Sequence, residues 1–186
     1  VPNVHIGKAF ATDNVFIRGI GSGINFGFEQ AVGQVIDGYF YGRSRFGRAA
    51  FMDVERVEVL KGPQGALIGK NTSGGAINIS TAKPTRDFEA WISSGYEFDG
   101  SEGYTAEGVI SGALSETLSA RLAVRMDDKD GYVENTLTGK DDPSSEDKAA
   151  RVSFLWEPSE SVDVLASYAY GESNGLGRNI EMSKCG

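Results

Sequence analysis

Alternation of apolar and polar residues dominates the second half of the chain and predicts β-strands there. In the clearest stretch one face is apolar and the other mostly polar: Leu118, Ala120, Leu122, Val124 and Met126 oppose Ser119, Arg121, Ala123, Arg125 and Asp127. The same alternation predicts four further strands over 88–98, 104–114, 150–157 and 162–170. These strands are about 9–11 residues long, a length that crosses a bilayer when the strand is tilted.

The connections between the predicted strands fall into two classes. Residues 115–117 and 158–161 form tight turns, whereas the segment from Asp127 to about Lys148 is long and carries eight acidic and three basic residues. Short turns on one side and long loops on the other are typical of a transmembrane β-barrel. Aromatic residues near the strand ends fit an interfacial girdle: Tyr96, Phe98, Tyr104, Trp156, Tyr168 and Tyr170.

A soluble antiparallel sandwich is the alternative, because its strands also alternate. Sandwich strands are usually shorter, about 5–6 residues, so the pattern favours the barrel. Five strands cannot close a bacterial barrel, which has at least about eight. We therefore expect antiparallel transmembrane strands of an incomplete barrel, in a chain that ends after its fifth strand.

The first half of the chain has shorter and less regular elements. Strands are predicted at 15–19, 34–36, 56–60 and 76–81, with one helical turn at 51–55 and a short helix from Pro63 to Leu67. This pattern predicts a small mixed α/β domain. Residues 1–87 carry a net charge of +3 and residues 88–186 one of −11, which suggests two parts with different roles. With a proline at position 84, we place the domains at 1–86 and 87–186.

Composition excludes several functional classes. The net charge of −8 argues against nucleic-acid binding. A single cysteine, Cys185, excludes an internal disulfide framework and a Cys-rich zinc site. No run approaches the roughly 18 apolar residues of a membrane helix. No catalytic constellation, metal site or cofactor site is predicted, so we do not expect an enzyme.

Four motifs in the first half carry a specific family resemblance. They are FIRG at 16–19, VIDG at 35–38, DVERVEVLKGP at 53–63 and GGAINI at 74–79. Their order and spacing resemble the plug domain of TonB-dependent outer-membrane receptors. The stretches LSETL at 114–118 and DGY at 130–132 resemble the first barrel hairpins of that family.

The resemblance implies a receptor in the outer membrane of a Gram-negative bacterium. In this family a plug occupies the barrel lumen, and coupling to TonB, through an N-terminal box absent here, drives uptake of a scarce extracellular ligand. The implied partners are TonB, outer-membrane lipid and an iron chelate, most commonly a ferric siderophore. A passive porin or adhesin-type barrel and a soluble carbohydrate-binding β module are the alternative functions.

The resemblance also suggests residues that latch the plug to the barrel. Arg18 and Lys61 occupy plug positions similar to those that pair with barrel carboxylates in the family, and Glu55, Arg56 and Glu58 stand in the same motif as Lys61. Charged residues are expected on the lumen side of the strands, as a polar lumen requires: Glu89, Glu97, Glu107, Arg121, Arg125, Arg151 and Asp163.

A second group of residues is predicted to contact the ligand. The segment 39–48 interleaves aromatic residues with three arginines, a combination suited to an anionic chelate with an organic shell. The predicted contacts are Tyr39, Tyr41, Arg43, Arg45 and Arg48, together with Asn25, Phe26 and Phe28 on a second loop.

Overall fold

The described residues of the computed structural model are 2–8, 13–21, 30–41, 51–98, 102–131, 133–135, 140–142 and 144–176. The chain divides into two units, Val1–Ala82 and Lys83–Gly186. Neither unit contains, among these residues, a helix long and apolar enough to cross a membrane. The assignment of domains to 1–86 and 87–186 stays a prediction.

The first unit contains two small sheets. Its strands are β1 (Val4–Lys8), β2 (Asp13–Ile17), β3 (Ile20–Gly21), β4 (Val32–Ile36), β5 (Tyr39–Tyr41), β6 (Val54–Lys61) and β7 (Gly75–Thr81). The first three form a sheet in the order β1-β2-β3, and the others form one in the order β5-β4-β7-β6. The β4–β7 pair is parallel and the other pairs are antiparallel.

Branched aliphatic side chains from both sheets form one core in the first unit. It consists of Val15, Ile17, Val32, Ile36, Ile77 and Ile79, which are all buried. Branched residues fit the pleated surface of a sheet, which explains why the motifs FIRG, VIDG and AINI form strands. Two of these motifs end in two-residue turns with positive φ at both positions, Arg18-Gly19 and Asp37-Gly38. This is the tight hairpin turn that matches strand twist.

Of the two helical elements predicted for the first unit, the described residues contain only single turns, a 3₁₀ turn at Phe51 and a hydrogen-bonded turn after Pro63. Strand β6 begins at Val54, inside the predicted helical turn at 51–55, because Val57 and Val59 pair with β7. Residues 63–67 form a hydrogen-bonded turn, in which the Gln64 carbonyl accepts from Leu67 N and Ile68 N at 3.1 and 2.9 Å. A single turn is too short to form a stable helix. The described part of the first unit is therefore β-structure rather than mixed α/β.

The second unit is dominated by one five-stranded antiparallel sheet. Its strands are β8 (Glu89–Glu97), β9 (Gly103–Ala113), β10 (Leu118–Lys129), β13 (Ser144–Ser159) and β14 (Val162–Leu176). The order β14-β13-β10-β9-β8 is a simple meander, and the sheet is open at β8 and β14. A separate hairpin, β11 (Val133–Asn135) and β12 (Lys140–Asp142), lies between β10 and β13 in the sequence.

The strand register confirms the alternation predicted from the sequence. Leu122 pairs with Ile110 and Val152, so even-numbered residues share one face of the five-stranded sheet. On this even-numbered face large apolar side chains are exposed: Ile92, Ile110, Leu122, Val124, Met126, Phe154, Trp156, Val164 and Tyr168. The odd-numbered face includes the buried residues Val109, Ser111, Ser119, Arg121, Ala123, Arg151 and Ser153. The edge strands β8 and β14 are exposed on both faces, including Trp91 and Leu165 on the odd-numbered one, but in the three central strands the exposed face is the apolar, even-numbered one, the reverse of a water-soluble sheet.

The long polar segment is shorter than predicted. Strand β10 continues to Lys129 and β13 starts at Ser144, so that Asp127, Asp128 and Lys129 still pair across the sheet. The strands continue here because ion pairs and hydrogen bonds between side chains replace apolar packing on both faces of the sheet. Hydropathy alone does not show such pairing.

Candidate functional site

The odd-numbered face of the five-stranded sheet carries a series of charged pairs. Nearest the tight turns, Arg121 Nη1 donates to Glu89 Oε2 at 2.8 Å. The two residues lie on β10 and β8, and both pair in register with Ser111 on the strand between them. Arg121 is 5% exposed and Glu89 is 43% exposed at the side chain. A cation so buried needs its carboxylate, because an unpaired buried charge is strongly unfavourable.

Further along the same face, Arg125 joins two carboxylates. Its Nη1 lies 3.1 Å from Glu107 Oε2 and its Nη2 lies 3.2 Å from Asp127 Oδ2. Thr105 donates its hydroxyl to the same Asp127 oxygen at 2.8 Å. The guanidinium fork suits this bridging role, since its donors diverge in one plane. Beyond it, Lys129 pairs with Glu97.

These pairs form a charged ladder along the face, defined here as Glu89–Arg121, Glu107–Arg125–Asp127 and Glu97–Lys129. All its members are on β8, β9 and β10, so these ion pairs lie within the sheet. Within the described ranges, no group of three His, Cys, Asp or Glu residues could hold a metal ion. The ladder is therefore a set of paired charges on a surface, with the polarity expected of a wall that faces water or polar protein.

Substituting Glu89 and substituting Arg121 should lower the stability of the protein by different amounts. Glu89→Gln removes a charged partner of the buried Arg121 cation, and we expect it to cost about 3 kcal/mol of stability. Arg121→Met leaves a half-exposed carboxylate and should cost about 1 kcal/mol. Denaturant unfolding of the intact protein would measure both. The double variant should recover most of the loss, and equal effects of the two single variants would contradict this reading.

The predicted latch residues have described contacts within the first unit. Arg18 occupies the β2–β3 turn with φ 52°, and its backbone N donates to the Asn3 carbonyl at 2.8 Å. Lys61 ends β6, where its Nζ donates to the Pro2 carbonyl at 3.3 Å. Both residues therefore contact the start of the chain. Their role as latches to a barrel stays a prediction.

The three other latch candidates lie on β6. Glu58 accepts a hydrogen bond from Asn78 Nδ2 at 2.8 Å and lies 3.4 Å from Arg56 Nε. The Glu58–Asn78 bond crosses between register partners on β6 and β7. Glu55 is exposed on the same strand. These contacts stabilise the four-stranded sheet, whatever further role the residues have.

Most of the predicted ligand contacts lie outside the described residues. These are Asn25, Phe26, Phe28, Arg43, Arg45 and Arg48. Tyr39 and Tyr41 are described and lie on β5, where Tyr39 is 74% exposed and Tyr41 packs against the core. The exposed ring of Tyr39 is available for contact, whereas Tyr41 has a structural role.

Sequence reasoning missed several polar residues that the structure uses. Thr105 and Lys129 join the charged ladder, and Ser111 and Asp37 hold the segment between the two units, as described below. Parity along the strands places Thr105 and Ser111 on the polar face and could have identified them. Asp37 lies in a turn, where the alternation of strand residues does not apply, so no sequence pattern predicts its contacts with Thr81.

Comparisons with known proteins agree with this geometry. Residues 1–76 match the family described as the TonB-dependent Receptor Plug Domain. The pesticin receptor of Yersinia pestis is 34% identical over 131 residues, which make up 69% of this chain and 19% of that receptor. The vitamin B12 transporter BtuB of Photobacterium profundum is 30% identical over 103 residues, 53% of this chain and 17% of the transporter.

A solved structure extends the similarity to both units. The crystal structure of the ferric yersiniabactin uptake receptor FyuA from Yersinia pestis matches with a TM-score of 0.81 at 26% identity, covering 93% of this chain and 28% of FyuA. The plug match, followed by strands with an exposed apolar face, defines an outer-membrane receptor. The chain belongs to the TonB-dependent receptor family, and its location is the outer membrane of a Gram-negative bacterium. It spans about a fifth of the length of the two sequence relatives.

Proposed function

We propose that the intact protein is a transporter that takes up a scarce extracellular ligand, most commonly a ferric siderophore, by TonB-driven rearrangement of its plug. Residues 1–86 form the plug and residues 87–186 the first strands of the barrel. The observation that carries the proposal is the opposition of faces in the five-stranded sheet. The even-numbered face presents exposed apolar side chains, as lipid requires, while the odd-numbered face carries the charged ladder.

Two names among the relatives support an iron chelate as the ligand class. FyuA is a ferric yersiniabactin uptake receptor, and one Pseudomonas aeruginosa relative, 30% identical over 132 residues, is a ferric enterobactin receptor. BtuB is a vitamin B12 transporter, so cobalamin is the second candidate ligand. The proposal makes the protein a transporter rather than an enzyme, with TonB, the chelate and outer-membrane lipid as its partners.

The ligand class is tested by removing the arginines of segment 39–48. We expect the triple variant Arg43→Ala, Arg45→Ala and Arg48→Ala to insert normally but to bind a radioiron-labelled ferric siderophore at least about a hundredfold more weakly. This follows because charge-assisted hydrogen bonds contribute about 1.5–3 kcal/mol each and 1.4 kcal/mol is tenfold in affinity. A variant with Lys70→Ala, Lys83→Ala and Lys148→Ala removes the same number of positive charges elsewhere and serves as the control.

Three measurements can contradict the proposal: the affinity of the triple variant for the siderophore, uptake and ion conductance in cells without TonB, and the behaviour of the protein without detergent. Unchanged affinity in the triple variant would reject the arginines as ligand contacts. Uptake or ion conductance that persists without TonB would favour the passive barrel. A monodisperse protein that needs no detergent would favour the soluble carbohydrate-binding module and overturn the transporter.

A further inference from the structure

The connector between the two units, residues 82–85, is held by side chains at its first end. Strand β4 stops at Ile36, and the Asp37 backbone N donates to the Ile79 carbonyl at 2.9 Å. In a parallel ladder the next bond would run from Thr81 N to a carbonyl of the extended β4 strand. Here the Asp37 carboxylate takes that place: Oδ1 accepts from Thr81 N at 2.8 Å and Oδ2 accepts from the Thr81 hydroxyl at 2.9 Å.

A second backbone bond fixes the same end from the opposite side of β7. Ala82 N donates to the Asp53 carbonyl at 3.0 Å. Asp53 is buried and has φ 51°, and Asp37 has φ 49°. Left-handed backbone conformations of residues other than glycine persist only where their surroundings hold them. Both aspartates are therefore held in uncommon conformations at the point where the chain leaves the first unit.

The other end of the connector is fastened to the five-stranded sheet. Thr85 N donates to Ser111 Oγ at 2.9 Å, and the Thr85 hydroxyl lies 2.9 Å from both Ser111 Oγ and the Asp87 carbonyl oxygen, which share its one hydrogen. Ser111 is 2% exposed and donates in turn to the Ala120 carbonyl at 3.2 Å. Its hydroxyl thus links the connector to β10 through β9.

The residue after the connector reinforces this attachment. Arg86 Nη1 donates to the Glu116 carbonyl at 2.7 Å, and its Nη2 pairs with Glu157 Oε2 at 3.0 Å. The Arg86 carbonyl accepts from Ala113 N at 3.2 Å. One side chain therefore spans the β9–β10 turn and the end of β13. Within the described residues, neither Lys83 nor Pro84 has a hydrogen bond.

We propose that residues 82–85 are a locked tether rather than a flexible linker, with Asp37 as the positioning residue at one end and Ser111 at the other. Only Lys83 and Pro84 are left between the anchors, and two residues span at most about 7 Å. The inference rests on hydrogen bonds and goes beyond the proposed transport activity.

Amide hydrogen exchange on the intact receptor in detergent micelles tests the tether at single-residue resolution. In the natural sequence, Thr81, Ala82 and Thr85 should exchange at least about a hundredfold more slowly than Lys83, since bonded amides exchange only on local opening. Asp37→Gly keeps the positive φ of the turn but removes the carboxylate, so exchange at Thr81 should rise at least about tenfold while Thr85 stays protected. Ser111→Ala should raise exchange at Thr85 at least about tenfold while Thr81 stays protected.

Matched variants complete the experiment. Asp37→Asn retains an acceptor for Thr81 N, and Ser119→Ala removes a hydroxyl that is equally buried on the same face but has no bond to the connector, so both should leave exchange unchanged. A Gly-Ser-Gly insertion between Lys83 and Pro84 should leave both anchors protected. Lys83 is exposed and lines an open cleft of about 590 Å³ beside Glu160 and Asp163, whereas Pro84 is buried, so the inserted residues follow the exposed side of the connector.

Three results would overturn the tether. Fast exchange at both Thr81 and Thr85 in the natural sequence would mean a flexible linker. Joint loss of both anchors in either single variant, with the β10 amides still protected, would mean that the ends are not separately fastened. Loss of both in the insertion variant would mean that connector length, and not Asp37 and Ser111, sets the protection. None of these results depends on ligand uptake, so a failed tether is distinguishable from a failed transporter.

Discussion

Leu122→Arg in the intact receptor is expected to destabilise the membrane-inserted protein by up to about 4 kcal/mol and to lower its level in the outer membrane sharply. Leu122 lies on the even-numbered face of β10, near the middle of the apolar stretch from Leu118 to Met126, and is 44% exposed. A lipid-facing arginine at the bilayer midplane costs about 2–4 kcal/mol, and close to 0–1 kcal/mol near the interfaces. Denaturant unfolding from lipid vesicles would measure the difference.

The control for this prediction lies on the same strand and face. Asp128 is beyond the apolar stretch, where it pairs with Tyr104 and Glu146 in register. Asp128→Arg introduces the same side chain outside the hydrocarbon and should cost less than about 1 kcal/mol. If both variants were equally stable, the even-numbered face would not lie in lipid.

Gly75→Ala is expected to have an effect of similar size on the first unit, about 4 kcal/mol. Gly75 opens β7 with φ 140°, and a Cβ there would lie 2.3 Å from the Leu60 carbonyl oxygen and 2.9 Å from Ile17 Cδ1. Residues with a side chain rarely adopt this φ, and the added methyl would clash with the Leu60 backbone. Backbone strain of about 1–3 kcal/mol adds to an overpacking cost of similar size.

Two other glycines separate the causes of the Gly75 effect. Gly38 has φ 83° but open space around it, so Gly38→Ala should show the backbone strain alone, about 1 kcal/mol or slightly more. Gly65, in the same unit, has no positive φ and only an ordinary contact of 3.8 Å with the Gly69 carbonyl oxygen, so Gly65→Ala should be nearly neutral. Thermal unfolding of the intact receptor, monitored by the susceptibility of the first unit to proteolysis, would rank the stabilities of the three variants. A Gly75→Ala protein as stable as Gly38→Ala would contradict the steric argument.

The alternation of apolar and polar residues predicted the five-stranded sheet well, because successive side chains of a strand point to opposite faces. The faces assigned to Leu122 and Arg121 are those found, and the register carries the same parity through β9, β10 and β13. The motif strands of the first unit were also predicted, since their branched residues are buried in a common core. Their bounds differ by at most two residues, because sheet pairing and not propensity sets where a strand ends.

The elements that the sequence did not predict are short or depend on distant partners. Strand β1 and the two-residue strand β3 exist through pairing with β2, and Tyr39–Tyr41 follows a tight turn. The helical turn predicted at 51–55 does not extend beyond Phe51, because β7 pairs with Val54 in a ladder. Likewise, the Thr85–Ser111 bond joins residues 26 positions apart, which no local pattern encodes.

Depth-resolved quenching along β10 tests the central claim most directly. Single cysteines would replace residues 118–126 in turn, on a Cys185→Ser background, in the intact receptor reconstituted into vesicles of brominated lipid. Fluorophores at Leu118, Ala120, Leu122, Val124 and Met126 should be quenched by the lipid, and those at Ser119, Arg121, Ala123 and Arg125 should not. Quenching without this two-residue period, or quenching of the odd-numbered positions instead, would contradict the assignment of the apolar face to the membrane.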